Sequence, residues 1–249
     1  SDSLGVPSLD ADPADAAWTA EIGSASEDSS LAFGKRELHP KKLTKLVKAS
    51  NKLLAGSALS PEALVRERLA YKFAVTEEQA FLTGTGAGQP LGVMTASADG
   101  ISTANDVSTG NTTTSITFDG LKSVKGALKS GYRANAAWIF HRDAETQLAK
   151  LKDGNGAYIW SQSVVAGEPD RLLGFPYFVS EYQSSTFTTG LYVGILGDFS
   201  YYWIADLQSM QVQRLVELYA ETDQVGFIGK MWLDAMPVLG EAFKRVTLT

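Results

Sequence analysis

At 249 residues, 44% of them hydrophobic, the chain is long enough to bury one large core or two or three smaller ones. It has no cysteine, which excludes a disulfide framework, a thiolate metal site and a cysteine nucleophile. The formal net charge of −6 has the wrong sign for a surface that neutralises phosphates along DNA, and no window approaches the roughly 18 consecutive apolar residues of a membrane span.

Residues 1–17 are polar, contain Pro7, Pro13 and four acidic residues, and offer too little apolar surface to fold alone. Val6 to Leu9 could add one short strand to another part of the fold. The segment has neither the basic nor the apolar region of a secretion signal and no initiator methionine, so a cleaved or truncated N-terminus is expected. Two extended runs, Ala17 to Ile22 and Leu31 to Leu38, then flank the polar stretch GSASEDSS, which predicts a two-stranded arm over 18–46 with an acidic tip. An isolated ribbon of two strands is marginal in water, so the arm is expected to lie on a neighbour. Trp18, Leu31 and Phe33 would supply its apolar contact, and Glu21, Glu27 and Asp28 its charge, because 19–34 hold no cation. His39 to Leu54 places Lys41, Lys42, Lys45 and Lys48 within eight positions, either a basic strip that faces an acidic neighbour or a solvated face.

The strongest local signal follows. Ser60 is a good N-cap, Pro61 sits where its missing N–H costs nothing, and Glu62 complements the positive end of the helix dipole. Val65, Leu69 and Phe73 recur at four-residue spacing, Ala74, Ala80 and Phe81 extend the apolar side, and most charges fall opposite. With Gly84 as a left-handed C-cap, the helix runs from 61 to 83, a spine of about 34 Å. Gly84, Gly86, Gly88 and Pro90 then form GTGAGQPLG, which looks superficially like a phosphate-binding loop. Such a loop opens a helix, however, whereas this one closes a helix and lacks the lysine, so a structural turn is expected.

Thr95 to Ser115 has the composition of a long surface loop, in which the sequon at Asn111 reads as loop chemistry only. A second compact unit begins at Thr117. A helix from Gly120 to Ser130, capped by Thr117 or Asp119, a strand at Ala136 to Phe140 and a helix at Arg142 to Leu151 imply a sheet with helices on its faces. Further strands are predicted at Leu173 to Ser180, Leu191 to Ile195 and Ala242 to Leu248, and Ser200 to Ala205 is aromatic enough for a strand edge or a subunit contact. Met210 to Leu218 and Val225 to Trp232 read as a long hairpin.

Catalytic patterns are sparse. His39 and His141 are the only histidines, without ligand spacing, and no serine lies in a G-x-S-x-G elbow. HRDAETQL, from His141 to Leu148, has the start of a kinase catalytic loop but leucine in place of its asparagine, so a strand running into a helix is the better reading. No catalytic residue, metal ligand or cofactor is expected.

FLTGTGAGQPLGVM (Phe81 to Met94), together with WTAEIGSASED, LLGFPYFVSE and LYVGILGDFSYYWIAD in the same order, resembles the major capsid proteins of tailed bacteriophages, the Hong Kong 97-like family. The resemblance covers nearly the whole chain from Trp18. It implies an α+β fold of the Hong Kong 97-like type, with 1–17 as the remnant of an N-terminal arm and 18–46 as the extended loop that laps over a neighbour. Residues 47–94 and 206–236 would form a peripheral domain around the spine helix, and 95–205 with 237–249 an axial domain. It further implies self-assembly through hexamers and pentamers into a virion shell, assembly in the host cytoplasm with a scaffolding segment or protein and a portal, non-specific contact with packaged DNA, and no membrane. The isopeptide cross-link of some members joins a loop lysine to a later asparagine. Here no lysine precedes Lys35 and no asparagine follows Asn155, so a non-covalent shell is expected. An encapsulin-like compartment shares the fold, and an enzyme using the glycine turn as a binding loop is the alternative from another class.

Overall fold

A computed structural model of the chain describes residues 4–11, 32–52, 61–160 and 171–249. Helix α1, Pro61–Thr83, has the predicted bounds; Ser60 lies outside the described residues. It rests on a three-stranded antiparallel sheet of order β3-β10-β9, formed by β3 (Lys41–Ser50), β9 (Tyr202–Leu215) and β10 (Gln224–Pro237). Side chains alternate faces along a strand, and Val225 and Phe227 of β10 meet Leu69 and Phe73 of α1 in a small buried cluster. Gly229 makes room for that contact, since a Cβ there would stand 3.0 Å from the Phe73 ring.

The buried side of α1 is narrower than expected. Ala74 is exposed, and Leu64 and Tyr71 are each 55% exposed, because only one flank of the helix has a sheet beneath it. The β9–β10 hairpin is longer than predicted at its open end, reaching Tyr202 and Pro237, while at the turn β9 stops at Leu215, short of the predicted Leu218. Its strands are joined through a 3-10 turn at Glu217–Thr222, with Asp223 in the left-handed region. Residues 200–205, expected at a strand edge, run into β9.

The arm pairs differently from the expectation. β2 (Ala32–Leu38) lies antiparallel to β1 (Leu4–Ala11), with Leu9 opposite Phe33 and Leu4 opposite Leu38. The short strand suggested at Val6 to Leu9 is thus part of β1, while Ala17 to Ile22 lies outside the described residues. The arm bound at 46 falls inside β3, all ten of whose residues have partners on β10, so 41–46 belong to the three-stranded sheet.

The second unit is a six-stranded sheet of order β4-β11-β8-β5-β7-β6. Its strands are β4 (Asp106–Val107), β5 (Ala137–Phe140), β6 (Arg171–Leu172), β7 (Phe175–Val179), β8 (Tyr192–Gly197) and β11 (Phe243–Thr247). β5 and β7 are parallel, as a crossover through helix α3 (Arg142–Ala149) requires. Helix α2 is Phe118–Ala127, earlier than the predicted Gly120 to Ser130, because the Thr117 hydroxyl already accepts the Gly120 N–H at 3.0 Å. Trp138, Phe140, Leu121, Leu128, Leu196 and Val246 fill the core.

The expected loop at Thr95 to Ser115 is tied down by two polar groups. Asn111 is buried, donates to Thr247 O at 2.9 Å and accepts from Thr117 N at 3.1 Å, so the sequon asparagine is a staple. Arg245 is fully buried. Its Nε lies 2.6 Å from Asp106 Oδ1, Nη2 donates to Ser102 O at 3.0 Å, and the guanidinium stacks 4.2 Å over Tyr192. Its pairing with Asp106 offsets the cost of burying the charge.

Candidate assembly surfaces

The glycine turn caps α1, though not as expected. Gly84 keeps an ordinary φ, and the left-handed positions are Gly86 (φ 81°) and Gly88 (φ 71°). Glycine is needed at 84 because a Cβ would stand 2.2 Å from Pro90 O and 2.4 Å from Ala80 O. The chain after the turn folds back along the helix end, where Gly92, Val93 and Met94 donate their N–H groups to the carbonyls of Gly84, Phe81 and Leu82 at 2.8–3.0 Å. The free carbonyls of the last helical turn are satisfied in this way. Two further carbonyls of the turn face a cation, since Lys41 Nζ donates to Gly86 O at 2.7 Å and Gln89 O at 2.9 Å. A phosphate site would present N–H groups, so this turn has the opposite polarity.

The four lysines do not form one strip. On a strand, residues an even number apart share a face. Lys41 and Lys45 lie on the face that carries α1, with Lys45 exposed opposite Gly229. Lys42 and Lys48 share the other face with Lys230, near 5.9 Å from the Trp232 ring and 4.2 Å from the Tyr219 ring respectively. This open face thus combines cations with aromatic rings. Trp18, Glu21, Glu27, Asp28 and Leu31 lie outside the described residues. Phe33 is placed in β2, opposite Leu9.

Apolar exposure marks a surface that sequence patterning underestimates. On β9, an edge strand of its sheet, Trp203 is 42%, Ile204 52% and Leu207 65% exposed. Strand edges with large apolar side chains invite pairing with another chain. Only the aromatic run at 200–205 announces this region in the sequence. Leu207 falls between the strands predicted at 200–205 and 210–218, and Leu64 and Tyr71 are not singled out by the periodicity of the helix.

Among the described residues no group of three or more histidines and carboxylates is arranged to hold a metal ion, and no helix is long and apolar enough to cross a membrane. His141 accepts the Asp143 N–H on Nδ1 at 3.0 Å and so caps α3, which accounts for the kinase-like triplet. Two carboxyls are perturbed in opposite directions. Hydrogen bonds from Lys129 and Tyr132 hold Glu241 below the usual carboxylate range, whereas burial and then the charge of Asp206 push Glu77 up.

Comparison with known proteins agrees with this geometry. The sequence model of the phage capsid family matches residues 2–248. The capsid of a native GTA particle, computed with C5 symmetry, is 27% identical over 100% of this chain and 86% of its own, with a TM-score of 0.86. The capsid of an empty GTA particle gives 26%, 100%, 85% and 0.85 for the same quantities. A chain of Mycobacterium phage Adephagia, 15% identical over 100% of this chain and 86% of its own, shares the fold with a TM-score of 0.73. No curated protein matches.

Proposed function

We propose for this chain, which belongs to the phage capsid family, the role of major capsid protein, whose copies assemble into the icosahedral head shell around double-stranded DNA. The observation that carries the reading is whole-chain likeness to capsid chains, which leaves no part over for an unrelated activity. The role is structural and needs no catalytic residue or cofactor. We assign α1 with the three-stranded sheet to a peripheral domain, the six-stranded sheet to an axial domain, and β1, β2 and the residues between them to the extended arm.

In this reading the arm of one copy lies on the open face of the next, where Lys42, Lys48 and Lys230 meet Glu21, Glu27 and Asp28 of the arm. Each such pair contributes about 0–1 kcal/mol and is screened over roughly 8–10 Å, so the charges guide register while apolar contacts supply affinity. Many weak contacts closing together make the shell persist. Hexamers and pentamers are the building units, a scaffolding segment or protein and a portal take part in assembly in the host cytoplasm, and packaged DNA is touched without sequence preference. The decisive variant deletes Ile22 to Ser30. It should remain folded by circular dichroism and sediment as a small species without closed shells; unimpaired shell formation would refute the role given to the arm.

A further inference from the structure

The arm strand β2 meets the body beside a cleft of about 360 Å³ lined by Glu37, His39, Lys41, Gly86, Asp99 and Asp234 among others. Of the three described side chains of β2, Leu38 is buried, Arg36 half-buried and Glu37 exposed. Among these described side chains, Leu38 alone packs into the body, and the cleft lies beside it. Apolar contact is non-directional, so the direction in which the arm leaves must come from directional bonds.

One of them is the long, exposed bond from Arg36 Nη1 to Asp99 Oδ1 at 3.4 Å; the shorter, less exposed ones converge on Asp234, whose side chain is 7% exposed. Its Oδ2 accepts the His39 N–H at 2.8 Å, and its Oδ1 accepts the Ala235 N–H at 3.0 Å and a Lys41 proton at 3.3 Å. An ammonium has three protons, and the other two go to the carbonyls of Gly86 and Gln89. Three segments remote in sequence, the arm root, the glycine turn and β10, are thus joined through one side chain. Such bonds are charge-assisted, and without Lys41 the nearly buried carboxylate of Asp234 would lose its cation.

We infer that Lys41 is a latch internal to one subunit: it ties the root of the arm to the glycine turn and to Asp234, and so sets the direction in which the arm reaches a neighbouring copy. The bearing on a neighbour rests on the capsid reading; the latch itself does not. Lys41 is thereby separated from Lys42 and Lys48, which face outward. The glycine turn gains a purpose beyond chain reversal, since the left-handed Gly86 and the nearby Gln89 present their carbonyls to an ammonium.

The test compares Lys41→Met, which removes the charge and keeps an unbranched stem, with Lys41→Arg, which keeps charge and donors. In Lys41→Met, amide exchange at 36–39 and 85–91 should rise about tenfold while the six-stranded sheet stays protected. The protein concentration needed for half-maximal shell assembly should also rise about tenfold. Lys41→Arg should fall between Lys41→Met and the unsubstituted chain in both readouts. Unchanged exchange at these amides overturns the latch, and raised exchange with unchanged assembly overturns its bearing on the arm. Should Lys41→Met expose amides everywhere, the double variant Lys41→Met, Asp234→Asn removes the stranded carboxylate; it must show the local rise alone, and protection equal to the unsubstituted chain would overturn the proposal. A chain that forms no shells under any condition refutes the capsid reading, while the exchange experiment still decides the latch.

Discussion

The two sheets of this molecule keep their apolar side chains from water to different degrees. In the six-stranded unit Trp138, Phe140, Leu121, Leu128 and Val246 are fully buried, and even the cation Arg245 is enclosed, paired with the half-buried Asp106. In the three-stranded unit the buried cluster is Leu69, Phe73, Val225 and Phe227, while Leu207, Ile204, Leu64 and Tyr71 are each more than half exposed. Burial stabilises by about 25 cal/mol per Å² of apolar surface, so the first unit gains a large core within one chain, with Phe178 and Val179 of β7 left exposed at its margin. The second keeps apolar surface in reserve, and in a capsid chain that reserve is available to the next copy.

Substitution can break this contrast. Trp138→Ala should cost about 3–5 kcal/mol and lower the melting temperature by roughly 6–20 °C, measured by circular dichroism. Phe73→Ala should cost about 3 kcal/mol, but locally: α1 and β10 should lose protection from hydrogen exchange while β5, β8 and β11 keep theirs. Loss of protection throughout would mean that the two units share one core. The double variant Ile204→Ser, Leu207→Ser sharpens the contrast from the other side. Its stability to urea should change by no more than about 0.5 kcal/mol per site, yet its sedimentation should show that assembly is lost.

The smallest effect concerns pH. Glu241 is held below the usual carboxylate range, so its stabilising contribution is complete above about pH 4.3 and is lost as pH falls through the lowered value. Glu77 is raised, so its ionised form costs stability near neutrality and the cost disappears as pH falls through the raised value. Both side chains are only half-buried, and screening keeps each effect to about 1–2 °C. Glu77→Gln should therefore raise the melting temperature slightly at pH 7, and Glu241→Gln should lower it. The Glu77 difference should shrink as pH falls from 7 towards the ordinary carboxylate range, whereas the Glu241 difference should persist down to about pH 4.3 and shrink only below it, so a scan carried below the ordinary carboxylate range checks both signs.

The contrast was only partly legible in the sequence. The bounds of α1 were readable because Pro61 and the glycine run mark both ends locally. The left-handed role given to Gly84 was not correct, since its constraint is the approach of Pro90 O, set by a chain reversal that local propensity does not encode. The hairpin was recognised, but its full length was hidden by register shifts around Trp232 that interrupt simple alternation. β1 was seen only as a spare strand because its partner lies beyond twenty intervening residues, 12–31. Among the lysines, composition could not tell Lys41 from its neighbours: its ligands lie 45, 48 and 193 positions away. The Arg245–Asp106 pair had no signal, because a buried arginine in a strand looks like an exposed one.

The central claim is that copies of this chain close into a shell through surface that a single copy leaves open. Electron microscopy of the purified chain under assembly conditions tests it most directly, beside the Ile204→Ser, Leu207→Ser variant at equal concentration. The account predicts closed icosahedral particles for the unsubstituted chain and none for the variant, with matching circular dichroism spectra. Folded chains that remain monomeric without the substitutions, or particles equally abundant with them, would contradict it.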